Sequence, residues 1–129
     1  LDEFEPGTLE KFLHYAEIYK NFIRPLLPSC KVYHHEPVNS TGGVDSSGWF
    51  AMEYSSPDKK KGWAVIIRFF GFTDYLLIPK GLDSDIKYKV TFDNTGRSAM
   101  IDGIRMTNDG ISVNLAPKDC SELIIFEAK

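Results

Sequence analysis

The sequence predicts a mainly β fold: an antiparallel β-sandwich of about eight strands, of Greek-key type, preceded by one N-terminal α-helix. Three observations carry this reading. Between Leu9 and Leu26 apolar residues recur at three- and four-residue steps, the mark of a helical face. From Lys31 onward the apolar period falls to two, the mark of half-buried strands. Turn signals then punctuate the chain at short intervals with no crossover helices between strands, which argues against a parallel sheet.

The helix comes first. Pro6-Gly7-Thr8 is a start signal with Thr8 as the N-cap. Leu9, Phe12, Leu13, Ala16, Tyr19, Ile23 and Leu26 form one stripe, and Tyr15, Ile18 and Phe22 lie beside it. Together they make an apolar sector wider than a surface helix needs, so the helix is expected to be buried on two sides. The longer stripe is expected to face the sandwich, leaving Tyr15, Ile18 and Phe22 for another partner or for self-association. Pro25 disfavours a helical Arg24, so the regular helix should end or kink near there. Strands are predicted at Lys31–Glu36, Trp49–Ser55, Trp63–Phe70, Tyr75–Pro79, Lys87–Phe92, Ile111–Leu115 and Glu122–Glu127, with a weaker one near Met100. Ala64–Phe70 is apolar on both faces apart from Arg68 and reads as a central strand. Turns fall at Thr41-Gly42-Gly43, Ser56-Pro57-Asp58, Gly81-Leu82-Asp83, Asp93-Asn94-Thr95-Gly96, Asn108-Asp109-Gly110 and Pro117-Lys118-Asp119. The expected organisation is a helical segment, 1–28, and a sandwich, 29–129.

Size and composition narrow the function classes. The chain has 129 residues, 43% hydrophobic and 26% charged, which suits one ordinary globular domain. The net charge is −3 and no basic stripe stands out. Lys59-Lys60-Lys61 beside Pro57-Asp58 reads as a solvated hairpin turn, since phosphate-backbone affinity needs many clustered cations; no nucleic-acid partner is expected. No window approaches the roughly 20 apolar residues that cross a bilayer, and no signal peptide is visible; no membrane partner is expected. The chain begins at Leu1 rather than at a methionine, and the expectation is a piece of something longer.

Chemistry is sought first in Cys30-Lys31-Val32-Tyr33-His34-His35-Glu36-Pro37. Adjacent strand residues point to opposite faces, so His34 would share a face with Val32 and Glu36, and His35 with Lys31 and Tyr33. The two histidines cannot converge on one metal, which needs three or four ligands, and His14 lies on the helix. No metal and no cofactor is expected. A Cys30–His34 nucleophilic pair fails because four extended residues put them over 10 Å apart, at about 3.3 Å per residue. No Gly-x-Ser-x-Gly elbow occurs. Asp83 and Asp85 read as turn formers rather than an acid–base pair. Cys30 and Cys120 read as two buried thiols, with no CxxC pair for zinc. Asn39-Ser40-Thr41 fits a glycosylation sequon, and Lys20 beside Tyr19 is placed to snorkel.

Several stretches carry a resemblance. Tyr19-Lys20-Asn21-Phe22-Ile23-Arg24-Pro25-Leu26-Leu27 resembles the helix that closes the catalytic barrel of melibiase-type α-galactosidases, glycoside hydrolase family 36 and relatives. Cys30–His35 resembles the segment after it. Trp49–Tyr54 and Trp63–Arg68 are similar to the first strands of that family's C-terminal domain. Pro79-Lys80-Gly81-Leu82-Asp83 with Tyr88-Lys89-Val90 resembles a further segment. Ile101-Asp102-Gly103, Gly110–Val113 and Ser121–Ile124 resemble the closing hairpin. The resemblance runs from about Phe12 to Glu127. It implies a non-catalytic C-terminal β-sandwich that packs on and stabilises a glycosidase barrel, the family's catalytic aspartates lying upstream. No catalytic residue carries over, because Tyr19-Lys20-Asn21 lacks the aspartate of the family's nucleophile motif. For a bacterial glycosidase a periplasmic or extracellular location is favoured over a cytoplasmic one. Two other classes stay open. A carbohydrate-binding module would use Trp49 and Trp63 as exposed platforms and the 38–48 loop as a groove wall; an independent enzyme would use the histidine cluster.

Overall fold

The structure, a computed structural model, describes residues 8–35, 48–68, 74–115 and 121–129. Five expectations lie outside these residues: the Pro6-Gly7 start signal, most of the 38–48 loop with its sequon, the Phe69-Phe70 strand end, the Pro117-Lys118-Asp119 turn and Cys120. The side chains of Leu9 and Phe12 also lie outside. The chain divides into two compact units, Leu1–Cys30 and Lys31–Lys129.

In the first unit, α1 spans Thr8–Ile18, followed by a π-helical stretch at Tyr19–Ile23, a single α-turn (α2, Arg24–Leu26) and a 3-10 turn at Leu27–Ser29. The regular α-helix thus gives way near Pro25, as expected, although Arg24 itself stays helical at φ −56 and ψ −43. The Arg24 N–H donates to Tyr19 O, five residues back. A proline ring clashes with the carbonyl four residues before it, here that of Asn21, and a wider π turn relieves the clash. Among the described helical residues none is buried. Leu13 is 57% exposed, and Tyr15, Tyr19 and Leu27 are also exposed. Ile18, Phe22, Ile23 and Leu26 are half-buried. The stripe residues Leu13 and Tyr19 are more open than Ile18 and Phe22.

The second unit holds eight strands among the described residues: β1 (Lys31–His35), β2 (Trp49–Ser55), β3 (Lys61–Arg68), β4 (Asp74–Leu77), β5 (Lys87–Phe92), β6 (Arg97–Asp102), β7 (Ile111–Asn114) and β8 (Ser121–Ala128). A six-stranded sheet runs β1-β2-β3-β8-β5-β6, and β4 pairs with β7 in a second sheet. All pairings are antiparallel. The last strand enters between β3 and β5, so the order is not sequential, as a Greek key requires. A seven-residue helix, α3 (Gly103–Asp109), joins β6 to β7. The sequence signals only the turn at its end, Asn108-Asp109-Gly110.

Burial follows the period of two. Inward residues are Trp49 and Ala51 on β2, Ala64 and Ile66 on β3, Tyr88 and Val90 on β5, and Ile124 and Phe126 on β8. Leu77, Ile111, Val113, Leu115 and Met106 of the smaller sheet and α3 meet them in one core. Trp49 stacks on Tyr75 at 5.1 Å, tying β2 to β4. Such a pair adds about 0.5–1.5 kcal/mol beyond its area. The opposite face of the large sheet is also apolar, with Met52, Val65, Ile67, Leu123 and Ile125 half-buried. There Tyr54 and Trp63, cross-strand partners, stack at 4.8 Å with their planes 10° apart. β3 is central, flanked by β2 and β8, which suits a strand apolar on both faces.

Candidate functional site

The charged and polar side chains that the fold gathers are built around Glu53. Strand parity aims Glu53 inward between Ala51 and Ser55, and it is 0% exposed. A carboxylate there must be saturated with donors. Its Oε1 accepts from His35 Nε2 and from the Lys80 N–H, both at 2.8 Å. Its Oε2 accepts from the Gly81 N–H at 2.9 Å. Ser55 Oγ donates to Gly81 O at 2.7 Å. Three segments are tied together: β1 through His35, β2 through Glu53 and Ser55, and the turn after β4 through Lys80 and Gly81. A Cβ on Gly81 would come within 2.6 Å of Ser55 Cβ and 2.8 Å of Tyr33 Cε2, so no larger residue fits this approach.

The next link is Tyr88, whose hydroxyl donates to Lys59 O and accepts the Asp83 N–H at 2.8 Å. Burial holds its phenol pKa above the ordinary value, against the lowering effect of the Asp83 amide. Asp83 itself accepts the Asp85 N–H at 2.9 Å, which makes it a turn former. Its carbonyl faces Gly103, where a Cβ would lie 2.1 Å away. The Gly103 N–H donates to Ile86 O at 2.7 Å. In the Lys59–Lys61 turn, the Asp58 carboxylate accepts the Lys60 N–H and the Ser56 hydroxyl, and the Lys60 amide leads in lowering its pKa.

The histidines of the Cys30–Pro37 stretch part company, as alternation demands. His35 is buried on Glu53, while His34 is exposed and its carbonyl accepts Lys80 Nζ at 3.2 Å. Among the described residues no three His, Cys, Asp or Glu side chains gather as metal ligands. Cys30 is a free, half-buried thiol whose burial raises its pKa. Among the same residues no helix is long and apolar enough to cross a membrane. The two tryptophans correct an expectation: Trp49 is 3% and Trp63 2% exposed. A sugar-stacking platform has to present a ring face, and both rings are spent on Tyr75 and Tyr54. A different feature is open. A groove of about 310 Å³ lies between the β5–β6 hairpin and β7, reaching Arg97, Asn114 and Glu122.

Nothing in the sequence marks Glu53 or the groove residues as a site; Thr95 reads there only as a turn residue. The one signal for Glu53 was a lone acidic residue at an inward position of an otherwise apolar strand.

Fold and site define an antiparallel β-sandwich domain whose buried Glu53 carboxylate is bonded to His35 and to the Lys80 and Gly81 amides. Comparison with solved structures makes this particular. The chain matches an α-galactosidase from Lactobacillus brevis with a TM-score of 0.74 and 17% identity, over 99% of this chain and 17% of that one. It matches the galactosidase domain of an α-galactosidase–sucrose kinase with the same TM-score, 12% identity and the same coverage. At these identities the likeness is one of fold, and the fold is the one the resemblance implied. The chain spans about 17% of the length of the structures it matches. No family model and no curated protein matches the sequence.

Proposed function

We propose that this chain is the last barrel helix and the C-terminal β-sandwich of an α-galactosidase-type glycoside hydrolase, with the helix through residue 28 belonging to the barrel and the sandwich to the residues after it. Its role is to pack on the catalytic barrel and stabilise it, and it carries no catalysis of its own. The observation that carries this reading is the fold likeness that takes in 99% of this chain but only 17% of each α-galactosidase. Two further facts support it. The described helical residues include no buried side chain although Leu13, Tyr15 and Tyr19 are large and apolar, which suits an element that completes another body. Of the two aspartates weighed for acid–base work, Asp83 is engaged by an amide of its own turn, and the buried Glu53 carboxylate is taken up by His35 and two backbone amides.

The test is to express the complete open reading frame, the same protein stopped before Lys31, and the 129-residue chain by itself. Each is assayed against nitrophenyl α-galactoside and melted. The full protein is expected to turn over substrate, the shortened one to melt earlier, and the 129-residue chain to be inactive. Turnover by the short chain that vanishes in Asp83→Asn or Asp85→Asn would overturn the scaffold reading. So would an open reading frame that encodes no barrel.

A further inference from the structure

We propose that the groove between the β5–β6 hairpin and β7 is a binding site for a neutral carbohydrate, a mono- or disaccharide. The proposal stands whatever reaction the parent protein catalyses.

The groove exists because the two sheets are unequal. The large sheet has six strands and the second only two. Ala99 of β6 pairs with Val90 of β5 and so shares the inward face with it. Yet Val90 is fully buried and Ala99 is exposed. The inward face is left open at the β6 edge, and Phe92, half-buried against the core, lies at its floor with Val113. The volume, about 310 Å³, is at the lower end of small-molecule clefts.

The lining has the chemistry of a polyhydroxylated, uncharged ligand. Sugar hydroxyls each donate and accept, so they need both kinds of partner on fixed planes. Arg97 only donates and the Glu122 carboxylate only accepts. Asn114 does both, and its Nδ2 donates to Asp74 Oδ1, which fixes the direction of its carbonyl. The Thr95 hydroxyl accepts the Arg97 N–H at 3.3 Å and keeps its own proton to donate. Glu122 is held by the Asn94 and Leu123 amides at 3.0 and 2.9 Å, and Asn94 Nδ2 donates to Ser121 O at 2.7 Å. The hairpin tip is thereby anchored to the start of β8, so the wall is pre-organised and little ordering cost remains on binding. Phe92 supplies an apolar surface for the C–H face of a ring. An anionic ligand fits poorly. Among the described lining residues the groove carries one charge of each sign, Arg97 and Glu122, with Asp74 bonded to Asn114, so a ligand without net charge suits it better than an anion.

The test is a two-dimensional ¹⁵N–¹H NMR titration of the 129-residue chain with galactose, melibiose, glucose and, as the anion control, sulfate. At least one sugar is expected to give saturable shifts centred on Thr95, Arg97, Ala99 and Asn114, and sulfate none. Arg97→Ala combined with Asn114→Ala should weaken binding at least about tenfold, as expected for lost hydrogen bonds to a charged and a planar group. Ala99→Trp should block the groove sterically while both variants melt like the parent chain. Three results would overturn the proposal: no saturable shift with any sugar up to tens of millimolar, shifts centred away from the groove, or sulfate reproducing the sugar's pattern.

Discussion

Glu53 is the residue on which the most separate segments depend. It is fully buried and takes three donors from two other parts of the chain. Glu53→Ala leaves the Lys80 and Gly81 amides and His35 unpaired in the interior, and a loss of about 3–5 kcal/mol is expected in urea unfolding. Glu53→Gln keeps the shape but sets an NH₂ against an N–H donor, and should cost about 1–3 kcal/mol. A change under about 0.5 kcal/mol in either would show that the cluster holds nothing. Tyr88 gives a pH signature. Its folded pKa is raised, mainly by burial, so the neutral phenol is the form the fold favours. Its contribution is fully present below the unfolded value, about 10 for tyrosine, and is lost as the pH rises through the higher folded value. Urea midpoints of the parent chain should therefore fall above about pH 10. Tyr88→Phe should fall less steeply there, from a starting stability about 1 kcal/mol lower for the lost hydrogen bond. Parallel pH curves for the two proteins would refute the assignment. At this scale the divergence of His34 and His35 was legible, because strand alternation is a local rule. The bond from His35 to Glu53 was not, because its partner lies 18 residues away in sequence.

The elements were mostly legible, since each strand carries its own period-two pattern. The sequence placed a strand at every one of β1 to β8, and where its predicted ends fall on described residues they lie within a residue or two of the observed ones. Two helical features escaped it. The π-helical stretch at Tyr19–Ile23 comes from the clash between Pro25 and the Asn21 carbonyl, a steric effect that apolar spacing does not record. α3 has seven residues, and Gly103 and Met106 are its buried ones. Thr107, Asn108 and Asp109 are poor helix formers. Its helicity is imposed from outside: the Gly103 N–H docks on Ile86 O, and Gly110, at φ 79, closes its C-terminus by donating to Met106 O. Gly103→Ala would set a methyl 2.1 Å from Asp83 O, a backbone atom that cannot swing aside. The expected loss is about 1–3 kcal/mol, the usual cost of overpacking, read from thermal or urea unfolding. A neutral substitution would mean that α3 shifts freely, and that it does not depend on the 83–86 turn.

At the scale of the whole molecule, the helical unit presents large apolar side chains at its surface. Leu13 and Tyr19 are exposed at 57% and 48%. Leu13→Gln and Tyr19→Gln should therefore change the stability of the 129-residue chain by no more than about 0.5 kcal/mol. They should also reduce any self-association seen by sedimentation. In the barrel-containing protein proposed above, the same pair should lower the melting temperature, because the barrel would cover that face. A loss above about 3 kcal/mol in the short chain, the cost of a truncated core residue, would show that this face is already packed.

The sequence by itself determined the class of fold, the strands, and the divergence of the histidine pair. Each rests on periodicity, turn chemistry or alternation, which act over a few neighbouring residues. It also carried the resemblance, whose Lys80-Gly81-Leu82-Asp83, Tyr88 and Gly103 elements prove to touch one another. Only the tertiary structure decided that Trp49 and Trp63 are buried, that Glu53 is a hub, and that a groove opens beside Arg97 and Asn114. The physical reason is the same in each case. Whether an inward-facing side chain is covered depends on how wide the opposing sheet is. Whether a polar one is satisfied depends on which distant amide reaches it. Both are set by the strand order β1-β2-β3-β8-β5-β6 against a two-stranded partner, a long-range arrangement that local pattern does not encode.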